Sequence, residues 1–338
     1  TPVILSGYQA TGSWAGAVLQ ILCLAIGVCI YKPFIRMYEE QRELRLKRDV
    51  KRLVEEMQRE EQNNSFRLIA STKREDEIGH MARILADELV EAIRRKELFL
   101  VYQPQVNRDG RCIGAEALIR WEHPEFGFIY PPLIIQLAKE KKVLSTLEKF
   151  IFDTAGAALA QVRDIVPDDF KMSVNLTNES LEWDGIEACI ENVVQKYQFP
   201  NVQLGLEITE QDALSSSIDI TKKIEALKAK GHRFLIDDFG MGHTSLVYLQ
   251  TKYFNIVKLD GSLTRDVIHN ETNRDIIASI VYLGRSLKFK IIAEYVENEA
   301  QRDELKKLGC DAFQGYLYSK PIKLDELMSW IKGSGHES

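Results

Sequence analysis

The sequence predicts an α/β fold, a (β/α)8 TIM-like barrel preceded by a transmembrane helix and a helical linker. Eight short strand-like runs follow one another between Leu98 and Tyr318, with helical stretches between most of them. The roughly 240 residues involved have the size and rhythm at which eight strand–helix repeats close on themselves. Ahead of them, Trp14–Tyr31 reads "WAGAVLQILCLAIGVCIY", a run with no charged residue and the length of a spanning helix. An open doubly wound sheet is the competing architecture, but no glycine-rich turn follows a first strand.

Taken in order, residues 1–36 are read as the transmembrane segment. Lys32, Arg36, Arg42, Arg45, Lys47 and Arg48 follow the apolar run, and this positive bias places the C-terminal bulk in the cytoplasm, tethered by a single pass to the inner membrane. No basic stretch precedes the run and no A-x-A site follows it, against a cleaved signal. Residues 37–77 turn to Glu, Arg, Lys and Gln with scattered aliphatics, as a solvated helical linker does. The barrel domain is assigned to 78–338. It opens on a helix, "IGHMARILADELVEAIRRKEL", with Ile78, Met81, Ile84, Leu85, Leu89 and Ile93 close to a 3.6-residue period. The strands follow as "LFLVYQPQV", "CIGAEALIRW", "KMSVNLT", "VQLGLEIT", "RFLIDDF", "NIVKLD", "KIIAEYV" and "DAFQGYLY".

Bulk composition narrows the chemistry. With 338 residues, 45% hydrophobic and 28% charged, the chain can bury one large core. Its formal net charge of -6 gives no electrostatic reason to bind a nucleic-acid polymer. Five cysteines without close CxxC spacing argue against a disulfide framework or zinc knuckle.

In such a barrel, chemistry sits at the C-terminal ends of the strands. Polar residues interrupt the apolar runs there: Glu116, Asn175, Glu207, the pair Asp237 and Asp238, Lys258 with Asp260, Glu294 and Gln314. Burying them is costly unless they converge on something. Carboxylates and one amide oxygen, with no His or Cys, make a hard shell suited to Mg²⁺ or Mn²⁺, with Ca²⁺ as competitor. A pair of such ions bridged by a carboxylate activates water against a phosphodiester, and Lys258 supplies a fixed cation for the water or the phosphate. Taken singly, each has a plainer reading: Glu207 or Glu294 as a paired strand-end charge, Asn175 as a turn cap, Asp260 as the start of a turn before Gly261.

The motifs "YQPQV", "EALIRW", "SVNLT", "EITE", "IDDFGMG", "VKLD", "AEYVE" and "QGYLYSKPI" resemble, in order, those of the EAL-domain cyclic di-GMP phosphodiesterases. The resemblance implies that Glu116, Asn175, Glu207 and Asp237 bind a first metal, that Asp238 and Glu294 serve a second, and that Lys258 positions the hydrolytic water. It further implies that Gln103, Leu118, Arg120 and Gln314 meet the dinucleotide, that Glu210 steadies the loop after Asp238, and that the protein is a homodimer. The implied reaction cleaves cyclic di-GMP to linear pGpG with Mg²⁺ or Mn²⁺ bound, Ca²⁺ being inhibitory. Three positions depart from the family's usual pattern: Met241 stands where Thr is common, His243 where Tyr is common, and Tyr295 where Gly is common. A catalytically weak cyclic di-GMP sensor acting on a membrane partner is therefore the alternative. The N-terminal helix also resembles the last membrane helix of cellobiose/lactose-class phosphotransferase sugar permeases, and a chain opening on Thr1 leaves open a longer polypeptide upstream.

Overall fold

The computed structural model describes residues 85, 87–215, 217–240 and 253–334. The apolar run Trp14–Tyr31, the linker 37–77, and Met241 and His243 lie outside the described residues. Among the described residues, no helix is long and apolar enough to cross a membrane. The helix expected from Ile78 is seen over 87–94, labelled α1.

The strands are β1 (Leu98–Asn107), β2 (Cys112–His123), β3 (Gly127–Ile129), β4 (Lys171–Leu176), β5 (Leu204–Thr209), β6 (Arg233–Phe239), β7 (Ile256–Leu259), β8 (Lys290–Ala293) and β9 (Ala312–Phe313). All except β3 join one closed ring in the order β1-β2-β4-β5-β6-β7-β8-β9, with β9 returning to β1. The short stretch His123–Tyr130, which holds β3, belongs to a different unit from the barrel. Within it, His123 Nδ1 accepts the Glu125 and Phe126 N–H groups at 3.1 and 3.2 Å.

The eight expected runs thus supply the eight barrel strands, with one change of sense. β1 is antiparallel to both β2 and β9, while the other neighbours are parallel. The cause is local. Residues 108–111 are too few for a crossover helix, so β1 and β2 must form a hairpin. Asn107 Oδ1 closes that turn by accepting from the Asp109 and Arg111 N–H groups at 2.9 and 3.0 Å, and Gly110 takes the left-handed φ of 80°.

Two runs also stop earlier than their hydrophobic pattern suggests. β8 ends at Ala293 and β9 at Phe313. Tyr295 adopts φ 54°, which turns the chain out of the extended region, and a Cβ on Gly315 would lie 2.2 Å from the Val296 carbonyl oxygen.

Helices on the outside carry one apolar stripe each. In α2, our label for Glu271–Leu287, Ile277, Ile280, Val281 and Gly284 are buried at helical spacing. The Asn270 side chain caps it by accepting from Asn273 N–H at 3.1 Å. The following helix, α3 (Glu299–Leu308), is capped by Asn298 and ends on Gly309 at φ 104°.

Side chains two residues before each candidate site residue form the floor of the mouth, because strand side chains alternate faces. On one half these are small: Gly114, Ser173 and Gly205. A Cβ at Gly205 would lie 3.0 Å from Leu235 Cδ1 and 3.1 Å from Ser173 Cβ, so the barrel is filled there. On the other half Leu235, Ile256, Ile292 and Ala312 make an apolar cluster. Register steps from strand to strand, with Glu116 opposite Ser173, Asn175 opposite Glu207 and Glu207 opposite Leu235. This stagger is what lets residues from tilted strands reach one level of a closed barrel.

Candidate active site

The centre of the mouth is one ammonium. Lys258, third residue of β7, is 1% exposed, and its Nζ lies 2.9 Å from Glu116 Oε2, 2.8 Å from Glu207 Oε2, 2.9 Å from Asp237 Oδ1 and 3.0 Å from Glu294 Oε1. An ammonium has three donors; Glu116 and Glu207 receive hydrogen bonds. Asp237 Oδ1 meets the charge as an ion pair without hydrogen-bond geometry.

Amides hold the rest. Asn175 Nδ2 donates to Glu116 Oε1 at 2.8 Å and Gln314 Nε2 to Glu116 Oε2 at 2.7 Å. Gln314 Nε2 also reaches Gln103 Oε1 at 3.2 Å, and its Oε1 accepts from Gln105 Nε2 at 2.8 Å. Leu118 and Arg120 share the inward face of β2 with Glu116 but lie two and four residues farther along the strand, half-buried above the carboxylates. Arg120 Nη1 donates to the Ile119 carbonyl at 2.8 Å. Asp260 takes the plainer of its two roles: its Oδ1 accepts from Ser262 N–H at 2.8 Å and caps the short helix Gly261–Thr264.

The charges do not balance. Glu116, Glu207, Asp237, Asp238 and Glu294 crowd a single lysine. Two trios have oxygens within 4.8 Å of one another, Glu116–Glu207–Asp237 and Asp237–Asp238–Glu294, and Asp237 belongs to both. Burial, then Glu116, pushes the Glu207 carboxyl up to about 8. Burial and the neighbouring Asp237 push Asp238 up to about 7. Burial raises Glu294 well above the usual carboxylate range. Glu116 alone of the five is held below it: burial opposes, but Lys258 and the Gln314 and Asn175 amides outweigh it. Glu207 Oε1 is buried with no hydrogen-bond partner. Excess negative charge plus an orphaned carboxylate oxygen is the environment a divalent cation completes, so the donor set fits a metal pair.

Backbone strain sets the rim. Asp238 has φ 55° and Tyr295 φ 54°, left-handed values that cost a non-glycine residue about 1–2 kcal/mol. Asp238 is itself a member of the second trio, and Tyr295 directly follows Glu294. Glu210 Oε2 accepts from Gly240 N–H at 3.1 Å, fixing the chain just beyond Asp238.

Three further residues support the centre and escape sequence reading: Gln105, Thr264 and Gln301. Thr264 Oγ1 donates to the Glu294 carbonyl at 2.6 Å. Gln301, 2% exposed, donates through Nε2 to the Thr264 and Tyr295 carbonyls at 2.8 and 2.9 Å. Gln301→Ala takes the partner from the Tyr295 carbonyl and from the Glu297 N–H, which donates to Gln301 Oε1 at 2.9 Å, while the Thr264 carbonyl keeps the Val267 N–H at 3.3 Å; the expected cost is about 1–3 kcal/mol. A urea melt checks this; an unchanged midpoint would show that the Tyr295 carbonyl and Glu297 N–H find other partners.

The profile of the EAL domain family matches residues 86–321. The chain is 34% identical over 248 residues to the bifunctional diguanylate cyclase/cyclic di-GMP phosphodiesterase MucR of Pseudomonas aeruginosa, covering 73% of this chain and 36% of that protein. It is 29% identical over 246 residues to the probable cyclic di-GMP phosphodiesterase PdeN of Escherichia coli, covering 72% and 47%. It thus spans about half or less of the length of these relatives. Among solved structures, the PaMucR phosphodiesterase in complex with c-di-GMP aligns with a TM-score of 0.67 and 34% identity, over 72% of this chain and 99% of that one. Since the family match contains every strand of the barrel and every residue gathered at its mouth, the chain belongs to the EAL domain family.

Proposed function

We propose that this domain hydrolyses one phosphodiester bond of cyclic di-GMP to give linear pGpG. The observation that carries the reading is the pair of carboxylate trios sharing Asp237 around the buried Lys258. The phosphodiesterase relatives named above support the choice of substrate.

In the reaction a water oxygen bonds to phosphorus and the bond from phosphorus to the 3′ oxygen breaks. One water proton is lost, and the departing 3′ oxygen gains one. Glu116, Asn175, Glu207 and Asp237 would hold one Mg²⁺ or Mn²⁺, and Asp237, Asp238 and Glu294 a second. Bound there, the ions supply a lowered water pKa and charge neutralisation at the phosphate. Lys258 keeps a permanent positive charge in place: burial opposes it, yet Asp237, Glu116, Glu207 and Glu294 raise its pKa well above the ordinary lysine value. It therefore serves to orient the nucleophilic water and to stabilise charge on the phosphate, not to donate a proton. Gln314 fixes Glu116 and, with Gln103, Leu118 and Arg120, lines the approach for the dinucleotide; the Arg120 guanidinium suits a phosphate.

The test is incubation with cyclic di-GMP and Mg²⁺ or Mn²⁺, read by chromatography. pGpG should form with either ion, and not with Ca²⁺ or excess chelator. Binding without turnover under all conditions would convert the reading to a sensor.

The reading extends to location: a single pass through Trp14–Tyr31 would hold the domain at the cytoplasmic face of the inner membrane, and the protein would work as a homodimer. The charge pattern after Tyr31 supports the orientation. Membrane fractionation with a C-terminal reporter, and the mass of the detergent-solubilised protein, should show a cytoplasmic C-terminus and two protomers. A protein wholly in the soluble fraction would overturn the tether.

A further inference from the structure

Tyr295 is anomalous in three respects at once. It holds φ 54° without being glycine, it is 41% exposed although large and aromatic, and it directly follows Glu294 at the rim. Such a conformation persists only where neighbours over-determine it. Gln301 does so by donating to the Tyr295 carbonyl at 2.9 Å from a side chain fixed at its own backbone by Asn298.

The ring is built in from beneath. It packs on Gly261, where an added Cβ would lie 2.7 Å from the ring Cδ2, so only a glycine at 261 lets it sit there. The Arg265 guanidinium carbon lies 4.2 Å from the ring centroid, and Arg265 makes no ion pair with a described residue. In the chain the residue directly follows Glu294, a member of the second carboxylate trio.

An exposed aromatic backed by a guanidinium is a surface on which a nucleobase stacks. We propose that Tyr295, seated on Gly261 and Arg265, is a specificity-determining platform that stacks one purine of the substrate and holds its phosphodiester over the carboxylate centre. The proposal rests on the reading of cyclic di-GMP as substrate. The backbone strain at Tyr295 is then retained for binding and contributes nothing to folding.

Tyr295→Gly removes the ring and relieves the strain; Tyr295→Phe keeps both. Each is compared with the parent on cyclic di-GMP and on bis(p-nitrophenyl) phosphate, a diester without purines. Tyr295→Gly should raise KM for cyclic di-GMP roughly tenfold, lower the ratio of kcat/KM between the two substrates by a similar factor, and leave Tm at or above the parent's. Tyr295→Phe should keep KM within about twofold. Equal losses on both substrates, or an unchanged KM, would overturn the platform. If the parent turns over neither diester, the hydrolytic reading fails by itself, and calorimetric affinity for cyclic di-GMP in Ca²⁺ decides the platform: a Tyr295→Gly affinity equal to the parent's, or no binding by the parent, rejects it.

Discussion

Lys258→Met is expected to abolish hydrolysis and to destabilise the metal-free domain. Four carboxylates lie within 3.0 Å of one ammonium that is 1% exposed, and methionine fills a similar volume with no charge. Breaking a buried ion pair from one side costs about 3–5 kcal/mol, because the partner charge stays behind. For a domain of this size that corresponds to a Tm lower by about 10 °C. Two compensations limit the loss. At lower pH the abandoned carboxylates protonate, so the gap to the parent should narrow toward pH 5. With Mg²⁺ present the gap should narrow as well, since ions balance the same charges. Activity should not return in either case: losing a single preorganised donor to the reacting oxygens costs about 10²–10³ in kcat, and Lys258 is the sole cation among the described residues at the centre. Hydrolysis within tenfold of the parent at saturating Mg²⁺ would show that Lys258 is a structural counter-ion alone.

That centre was legible in the sequence because its residues interrupt apolar runs. In "LGLEIT" the residues from Leu204 to Ile208 are buried in β5, and a glutamate set among them reads as a cost that something must offset. Lys258 within "IVKL" is the same signal with the opposite sign. The supporting amides left no such mark. Gln301 sits in "EAQRDELKKL", a helix polar on nearly every side, and it is buried only because that helix packs beside the turn after β8. Its partners are backbone carbonyls, which carry no sequence signature. Gln105 looks like any alternating strand residue until β9 closes on β1 and brings Gln314 to it. The reversed sense of β1 was legible in principle, in the shortness of "RDGR" between two strand runs. Tyr295 reads as strand because "KIIAEYV" alternates well; its left-handed turn is held by Gln301, six residues on, and by Gly261, distant in sequence.

Asp237→Asn should separate the electrostatics of the site from its chemistry, since this residue alone belongs to both trios. In the metal-free parent, Glu207 and Asp238 are pushed up to about 8 and about 7, above their ordinary values near 4. A carboxylate raised in the folded state contributes stability fully present below its unfolded pKa and lost as pH rises through the folded one. The metal-free parent should therefore lose stability between about pH 5 and pH 8. Glu116, held low, acts in the opposite sense but only below its ordinary 4.5, and Lys258, held high, loses its contribution only above its ordinary 10.5, so neither offsets the fall in this window. Asparagine at 237 keeps the shape and removes the shared charge, so Glu207 and Asp238 need not protonate as readily. The variant should show a higher metal-free Tm than the parent at pH 8, with a flatter fall from pH 5. It should also lose most of the Mg²⁺- or Mn²⁺-induced rise in Tm, which follows ligand affinity directly, and all measurable hydrolysis. Scanning fluorimetry across pH, with chelator and with added ion, reads the first three effects in one experiment. A variant less stable than the parent at pH 8 in chelator would mean that Lys258 needs Asp237 more than the other acids need relief from it, and the charge imbalance inferred for this mouth would be wrong.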